Sequence, residues 1–280
     1  MLASIEYIRS ELQGLYPDTE IRSFTKLLIS KLTGFSNTEI ILNKNTIFSA
    51  EQRKILDSFI EKLKIYTPIQ YILGKTEFFG LEFIVNQSVL IPRPETEELV
   101  EWILNSVNDN SNLKLLDIGT GSGCIAIGLK NSLPQSQITA FDISEEALLI
   151  AQKNAELNNL KINFDQIDIL KNLEITEKWD IMVSNPPYIP ENEKIDISQN
   201  VLNFEPHLAL FVPENDPLLF YKKIAIFGTN HLNENGLLFF EIHFTKAKQI
   251  MKLLKSLGYI EIELRKDIFK NDRMIKAKIP

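Results

Sequence analysis

Residues 115–123 read LLDIGTGSG, and this short sequence carries the clearest fold signal in the chain. Its apolar start predicts a strand, and the pattern after Gly123 predicts a helix that runs to Leu133. Three glycines let the backbone turn tightly between these elements and approach a ligand closely. The free N–H groups at the start of the helix favour a bound polar group. The stretch therefore predicts a nucleoside-binding turn of an α/β protein.

Beyond this turn, short apolar runs alternate with helical patterns. We predict strands at 138–142, 162–164, 181–184 and 237–242, β-prone runs at 259–264 and 274–277, and helices at about 144–157, 217–227 and 245–257. Such alternation predicts a mostly parallel twisted sheet with helices on both faces. Ligands of these sheets bind at the carboxyl ends of the strands, where Asp117, Asp142 and Asn185 are expected to lie.

The spacing of residues in the glycine loop indicates which of two nucleoside cofactors the loop is suited to bind. A dinucleotide-binding loop has glycine or alanine three positions after its second glycine, and Cys124 stands there instead. Asp142 lies 23 residues after Gly119, close to the position of an acid that bonds ribose hydroxyls. Asp117 is placed to face the amino group of a methionine moiety and would repel a pyrophosphate. The loop favours S-adenosylmethionine over NAD, and a glycine-rich turn without a ligand is the weaker interpretation.

A second motif, Asn185-Pro186-Pro187-Tyr188, follows the strand predicted at 181–184. The Asn185 side-chain oxygen and the Pro186 carbonyl are suited to accept the two hydrogens of a planar NH2 group, and Tyr188 offers a flat face for packing. The two prolines hold this turn rigid. Gripping both hydrogens orients the lone pair of a weakly nucleophilic amide nitrogen. A rigid turn with a packed tyrosine is the plain alternative, but after the glycine loop we predict methyl transfer, with Asn185, Pro186 and Tyr188 as catalytic residues.

Other chemistry-bearing residues give weaker signals. Asp168 follows the third predicted strand, and it either bonds the adenine amino group or serves as a helix cap or solvated loop acid. Cys124 stands at a helix start, where thiolates are favoured, but small-residue packing is the preferred interpretation. His207, His231 and His243 show no metal-ligand spacing, so no metal site is predicted.

Composition narrows the functional classes. The chain has 280 residues, 44% of them hydrophobic and 24% charged, which predicts a soluble globular protein with one large and one small domain. A net charge of -7 argues against sequence-independent binding to nucleic acid. The single cysteine excludes an internal disulfide and indicates a reducing compartment. With no long apolar run and no apolar signal-peptide core, we expect a cytoplasmic protein that does not bind membranes.

Residues 1–72 are predicted to form a small helical bundle. Apolar residues recur at helical spacing from Ile21 to Leu32, and Gly34 is placed to end that helix. A capping box at Ser49 begins another helix. The bundle is either a stability cap on the larger domain or a module that binds a partner, because its own core also explains the apolar stripes.

Two β-prone runs on either side of Gly80 predict a hairpin. Pro92 and Pro94 keep the segment after it extended. We therefore expect a hairpin connector at residues 73–92 between the helical domain and a catalytic domain at residues 93–280.

Five stretches together carry a resemblance to a known family. They are GKTEFFGL at 74–81, LIPRPETE at 90–97, residues 117–123, VSNPPY at 183–188 and FEPHLAL at 204–210. They resemble the bacterial release-factor glutamine methyltransferases, the PrmC/HemK family. Adenine methyltransferases share Asn-Pro-Pro-Tyr, so the stretches of the connector and residues 204–210 make the resemblance specific.

The resemblance implies a Rossmann-like fold that transfers a methyl group from S-adenosylmethionine to the glutamine of the Gly-Gly-Gln tip of peptide chain release factors, leaving S-adenosylhomocysteine. It implies that the helical domain binds the release factor and that the residues of the proline motif, Asn185, Pro186, Pro187 and Tyr188, hold the glutamine side chain. With the acids discussed above, the predicted cofactor-binding residues are Asp117, Gly119, Thr120, Gly121, Ser122, Gly123, Asp142, Asp168, Ile169 and Asn185.

Two positions depart from the family pattern. Ile169 stands where an aromatic residue is frequent, so the adenine would pack on an aliphatic side chain. Near the C-terminus, Asp267 and Arg273 match the family, but Lys270 replaces a glycine.

Two alternative functions stay open. An adenine amine methyltransferase acting on DNA or RNA would use the same motif with a flipped base, although the net charge and the short flanking segments speak against it. A non-catalytic module that binds S-adenosylmethionine would not need Asn185 and Tyr188. We therefore expect release factors as partners and no stable binding to nucleic acid.

Overall fold

The computed structural model describes residues 1–107 and 112–280. Its internal contacts divide the chain into two units. The first comprises residues 1–74 and 198–204, and the second comprises residues 75–197 and 205–280.

Helices and strands alternate through most of the second unit. Within the described ranges the α-helices are α1 (Leu2–Leu12), α2 (Asp18–Thr33), α3 (Asn37–Leu42), α4 (Ala50–Lys64), α5 (Ile69–Leu73), α6 (Pro94–Leu104), α7 (Cys124–Ser132), α8 (Glu145–Leu157), α9 (Gln199–Phe204), α10 (His207–Leu210), α11 (Leu219–His231) and α12 (Ala247–Ser256). The strands there are β1 (Lys75–Phe78), β2 (Leu81–Ile84), β3 (Lys114–Ile118), β4 (Gln137–Asp142), β5 (Asn163–Gln166), β6 (Trp179–Ser184), β7 (Ile189–Pro190), β8 (Phe211–Val212), β9 (Leu232–Glu241), β10 (Ile260–Lys266) and β11 (Asp272–Lys278).

The first unit is helical. Helices α1, α2 and α4 share a core in which Leu12, Leu28 and Ile60 are buried. The predicted boundary signals are confirmed: Gly34 ends α2 in the left-handed conformation, and Ser49 caps α4 through a capping box. Helix α9, from much later in the chain, belongs to this unit by its contacts.

The second unit is built on a seven-stranded sheet in the order β10-β11-β9-β6-β3-β4-β5. Strands β9, β6, β3, β4 and β5 are parallel, while β11 pairs antiparallel with both β9 and β10. The predicted mostly parallel sheet is confirmed. The order of the strands along the chain reverses at β3, and ligands of such sheets bind beside the carboxyl end of the strand at this switch point.

Helices cover both faces of the sheet, and side chains point alternately to the two faces along each strand. Leu115 packs into the core under α6 and α7. Its neighbour Leu116 packs into the core under α11 and α12, with Ile224 and Ile250. Consecutive residues of β3 therefore serve opposite faces, as expected of a strand buried on both sides.

The hairpin β1–β2 turns at Phe79 and Gly80, which both have positive φ. Helix α8 holds this hairpin through the fully buried Asn154. Its side-chain oxygen accepts the Ile84 N–H at 2.6 Å, and its amide nitrogen donates to the carbonyls of Ile84 at 3.0 Å and Ser122 at 2.9 Å. One side chain thus fixes the hairpin to the glycine loop.

The turn between β10 and β11 explains one departure from the family pattern. Lys270 has φ of 69°, a left-handed conformation that glycine adopts without strain. The side chain of Asp267 compensates by accepting the N–H groups of Phe269 and Asn271, each at 2.9 Å. Arg273 Nε donates to the other carboxylate oxygen of Asp267 at 3.0 Å.

Replacement of Gly228 in α11 by alanine should destabilise the second unit. A Cβ there would lie 2.3 Å from the hydroxyl oxygen of Tyr259, which is buried and donates to the Ala225 carbonyl at 2.8 Å. Overpacking of this kind costs ~1–3 kcal/mol, partly offset by the better helix propensity of alanine. Denaturant unfolding of the two proteins measures the difference.

Tyr259→Phe supplies the control for this prediction. Removing the hydroxyl relieves the clash, so the double variant should lose less stability than the sum of the two single variants. Strict additivity of the two effects would contradict the proposed contact between Gly228 and Tyr259.

Candidate active site

The carboxyl ends of three neighbouring strands meet at the switch point of the sheet. Gly119 follows β3, Asp142 is the last residue of β4, and Asn185 follows β6. One cavity lies against these strand ends. The predicted site residues that line it are Gly119, Thr120, Gly121, Ser122, Asp142, Asp168, Ile169, Asn185, Pro186 and Pro187. Both motifs therefore face one cavity, whereas Asp117, Gly123 and Tyr188 are not among its lining residues.

The glycine loop needs its glycines for backbone conformation. Gly119, Gly121 and Gly123 have φ of 75°, 55° and 82°. A side chain would be strained at each position. At Gly123 it would also be crowded, because a Cβ would lie 3.1 Å from side-chain carbons of Ala151 and Ile127.

Asp142 holds the glycine loop in place. Its Oδ2 accepts the Gly121 N–H at 2.8 Å, and its Oδ1 accepts the Ser144 N–H at 2.9 Å. Burial raises the pKa of Asp142, while these two N–H groups oppose the shift. Each carboxylate oxygen keeps acceptor capacity for a ligand hydroxyl. The acid therefore has a structural task in addition to its predicted contact with a ribose.

Asp117 is an unusual buried acid in β3. Its Oδ2 accepts the Thr120 hydroxyl at 2.6 Å, but its Oδ1 is buried and has no hydrogen-bond partner among the described residues. Burial raises the pKa of Asp117 to about 7. A buried polar atom without a partner is costly and often marks a ligand contact. This acceptor fits a ligand with a cationic or N–H group, as predicted for the amino group of the cofactor.

The proline motif is fixed at its start by hydrogen bonds between strands and helices. The Ser184 hydroxyl donates to the Ile118 carbonyl at 2.6 Å and so holds the end of β6 against the end of β3. The next residue, Asn185, donates from Nδ2 to Oγ1 of Thr96 in α6 at 3.3 Å. Among the described residues, no group is seen to donate to its Oδ1, so this oxygen is available as an acceptor.

Tyr188 contacts protein groups on the far side of the motif. Its hydroxyl donates to Oε1 of Glu241 at 3.4 Å, and its ring lies 5.8 Å from the His243 ring in an edge-on arrangement. Burial raises the pKa of Tyr188 above its ordinary range, and the nearby Glu241 adds to the shift. Tyr188 is thus a neutral hydroxyl group at neutral pH, and its role as a packing face for substrate stays a prediction.

Asp168 and Ile169 line the cavity just beyond β5, which ends at Gln166. Asp168 Oδ1 accepts the Leu170 N–H at 3.0 Å. Both earlier interpretations of this acid remain compatible with its position, since it shapes a loop and also faces the cavity.

An ion pair at the cavity was missed by sequence reasoning. Arg93 lines the cavity and donates to Oε1 of Glu205 at 2.5 Å. Glu205 is buried, and burial raises its pKa while Arg93 lowers it. Both residues lie in stretches that resemble the family, but 112 positions separate them, and only the fold brings them together.

Cys124 also lines the cavity, but it is not a nucleophile. Burial raises the pKa of its thiol to about 12, so the thiolate is scarce at neutral pH. In the described ranges no three or more His, Cys, Asp or Glu side chains are arranged to hold a metal ion. The described helices include none long and apolar enough to cross a membrane.

Two protein families and several named enzymes are similar to this chain. Residues 4–74 match the family described as PrmC N-terminal domain, and residues 96–207 match the Methyltransferase small domain. The release factor glutamine methyltransferase of Flavobacterium psychrophilum is 46% identical over 95% of this chain and 94% of its own length. The enzyme of the same name from Bacteroides thetaiotaomicron is 43% identical over 97% of each chain.

A solved structure shares the fold. The methyltransferase from Pyrococcus furiosus superposes with a TM-score of 0.53 at 19% identity, over 82% of this chain and 98% of its own. This structure confirms the predicted fold, and the family model and the named relatives confirm the predicted enzyme class. With its high identity to full-length relatives, the chain belongs to the release factor glutamine methyltransferase family.

Proposed function

We propose that this enzyme transfers a methyl group from S-adenosylmethionine to the side-chain amide nitrogen of the glutamine in the Gly-Gly-Gln motif of peptide chain release factors. Family membership supports this substrate. The observation that carries the proposal is that Asn185 and Pro186 line the same cavity as the glycine loop. An acceptor pair for an NH2 group thus adjoins a nucleoside site.

The residues present fit this cofactor. The unpartnered Oδ1 of Asp117 suits the ammonium group, and Asp142 suits the ribose hydroxyls. Asp168 and Ile169 are proposed to contact the adenine, and the glycine backbone at 119–123 allows close approach of the methionine moiety. When bound, S-adenosylmethionine supplies an electrophilic methyl group on its sulfonium sulfur.

The chain's contribution to the chemistry is positioning. We propose that Asn185 Oδ1 and the Pro186 carbonyl accept the two amide hydrogens of the glutamine, while Tyr188 packs beside the carboxamide. Holding both hydrogens turns the nitrogen lone pair toward the methyl carbon, and such positioning lowers a barrier by several kcal/mol, ~7 or more in favourable cases. As the new N–C bond forms and the C–S bond breaks, the surplus proton on nitrogen leaves to water or along one of these acceptors. Pro187 keeps the turn rigid.

We further propose domain boundaries at residues 72 and 92, with the helical domain binding the release factor. The cytoplasm is the proposed location of the reaction. A stable complex with nucleic acid is not part of the proposal, because the net charge of -7 disfavours one.

Transfer of isotopic label tests the substrate. The enzyme is incubated with labelled S-adenosylmethionine and, separately, with purified release factor, with a release factor whose Gly-Gly-Gln glutamine is replaced by glutamate, and with DNA or RNA. Label should enter the first substrate alone. Label in nucleic acid alone would overturn the choice of substrate, and label in the glutamate variant would show a different acceptor atom.

Cofactor binding at pH 6 should release a proton from Asp117. Its pKa of about 7 keeps this carboxyl largely neutral before binding, and a neighbouring cationic group favours the ionised form. The affinity should therefore rise between pH 6 and pH 8. Calorimetry at pH 6 in two buffers with different ionisation enthalpies counts the released protons. Asp117→Asn should abolish the release, and an unchanged proton count in this variant would refute the assignment.

A further inference from the structure

Three side chains form a hydrogen-bond relay that leads from the buried Glu241 to the cavity. Glu241 ends β9, Thr96 lies in the first turns of α6, and Asn185 follows β6. The Thr96 hydroxyl donates to Oε2 of Glu241 at 2.6 Å, and Asn185 Nδ2 donates to Oγ1 of Thr96 at 3.3 Å. Thr96 and Glu241 are 1% and 2% exposed, so water does not compete for these bonds.

The relay has a fixed direction. Glu241 accepts the hydrogen of the Thr96 hydroxyl, and a hydroxyl has only one hydrogen to donate. Since the hydrogen of Thr96 is committed to Glu241, its oxygen can face Asn185 only as an acceptor. Side-chain shape alone would not determine the orientation of the Asn185 carboxamide, because its oxygen and nitrogen are nearly the same size. The relay therefore selects the orientation in which Nδ2 points to Thr96 and Oδ1 remains for a ligand.

The surroundings of Glu241 support its acceptor role. The Tyr188 hydroxyl donates to the other carboxylate oxygen at 3.4 Å, so both oxygens receive a hydrogen. Burial raises the pKa of Glu241, while the Thr96 hydroxyl and the positive charge of Arg273 oppose the shift. The carboxyl group of Glu241 thus contacts the end of the proline motif directly at Tyr188 and its start through Thr96.

We propose that Thr96 and Glu241 are positioning residues that hold the Asn185 carboxamide with its oxygen toward the substrate. This inference rests on the proposed function, in which Asn185 accepts a hydrogen from the glutamine NH2 group. A reversed Asn185 would place one NH2 group against another. The fixed acceptor also disfavours a carboxylate in the same place, so the relay helps the site to select glutamine over glutamate.

Paired substitutions at Thr96 test the relay by kinetics. Thr96→Val keeps the shape of the side chain and removes the hydroxyl, while Thr96→Ser keeps the hydroxyl. The single-turnover rate of methyl transfer to release factor should fall by about fivefold to 150-fold in the valine variant, the effect of one unmade hydrogen bond in a buried site. It should stay within about threefold of the wild type in the serine variant, and the cofactor Kd should change in neither.

Two kinetic outcomes would overturn the proposal. A valine variant as fast as the wild type would show that the hydroxyl is dispensable. A serine variant as slow as the valine variant would show that the methyl group of Thr96, and hence packing, is what matters. A wild-type enzyme that labels no release factor would instead refute the proposed function.

Neutron diffraction from deuterated crystals of the wild-type enzyme reads the orientation without any reaction. The deuterons of the Asn185 amide should point toward Thr96 Oγ1, and the Thr96 deuteron should point toward Glu241. An Asn185 oxygen facing Thr96 would overturn the relay, whatever the activities of the variants.

Discussion

Asn185→Ala should lower the single-turnover rate of methyl transfer by about 100-fold to 1,000-fold, the scale of losing one preorganised hydrogen-bond partner of a reacting group. Asn185 is half-buried at the end of β6 and lines the cavity. Its Oδ1 is proposed to accept one of the two amide hydrogens of the substrate glutamine. Without this acceptor, the glutamine nitrogen is free to rotate away from the methyl carbon of the cofactor. The cofactor Kd should stay within about threefold, since the glycine loop and Asp142 hold that ligand.

Asn230→Ala provides a matched control. Asn230 lies on the exposed side of α11, and its side chain donates within its own helix to the Ile226 carbonyl. Its removal should leave the rate unchanged. If the Asn185 variant, shown to be folded by circular dichroism, also reacted at a near-normal rate, the acceptor role would be refuted.

Asp142→Ala should weaken cofactor binding by ~1–3 kcal/mol, which corresponds to about fivefold to 150-fold in Kd. The loss has two sources. The ribose loses its proposed acceptor, and the Gly121 and Ser144 N–H groups lose the carboxylate that fixes the loop. Isothermal titration calorimetry with S-adenosylhomocysteine measures the affinity without turnover.

Asp165 offers the control for this variant. It is an exposed acid on β5, beside β4 in the sheet. Asp165→Ala therefore also removes one carboxyl group, but it leaves the contacts of the glycine loop unaltered. Its Kd should remain near the wild-type value. An Asp142 variant with unchanged affinity would rule out both the ribose contact and the loop-fixing role.

The sheet was predictable because its signals are local. The glycine loop and the apolar runs around it mark β3, β4 and β6, and the structure places Asp142 and Asn185 at the carboxyl ends of their strands as predicted. Capping residues such as Ser49 and Gly34 act within a few positions of themselves, so their effects could also be predicted from the sequence.

The relay and the ion pair could not be predicted in this way. Thr96 and Glu241 meet across 145 positions, and neither stands in a pattern that distinguishes a relay from ordinary packing. Arg93 and Glu205 likewise depend on the fold for their contact. The pairing of buried polar groups is a tertiary property, and hydrophobic periodicity carries no information about it.

Short strands and helices were also difficult to predict from the sequence. Strands β7 and β8 have two residues each, so no alternation is visible in them. Helix α9 has six residues and groups with the first unit, although it lies far from that unit in the sequence. Strand β9 begins at Leu232, before the run at 237–242 that predicted it, because its first residues are largely polar.

A crystal structure of the enzyme with S-adenosylhomocysteine and a release factor would show directly whether the proline motif positions the glutamine. The Gly-Gly-Gln carboxamide nitrogen should lie within hydrogen-bond distance of both Asn185 Oδ1 and the Pro186 carbonyl, with the cofactor sulfur in line with it. A glutamine side chain bound elsewhere in the cavity, or a glutamine nitrogen directed away from the cofactor sulfur, would refute this positioning role.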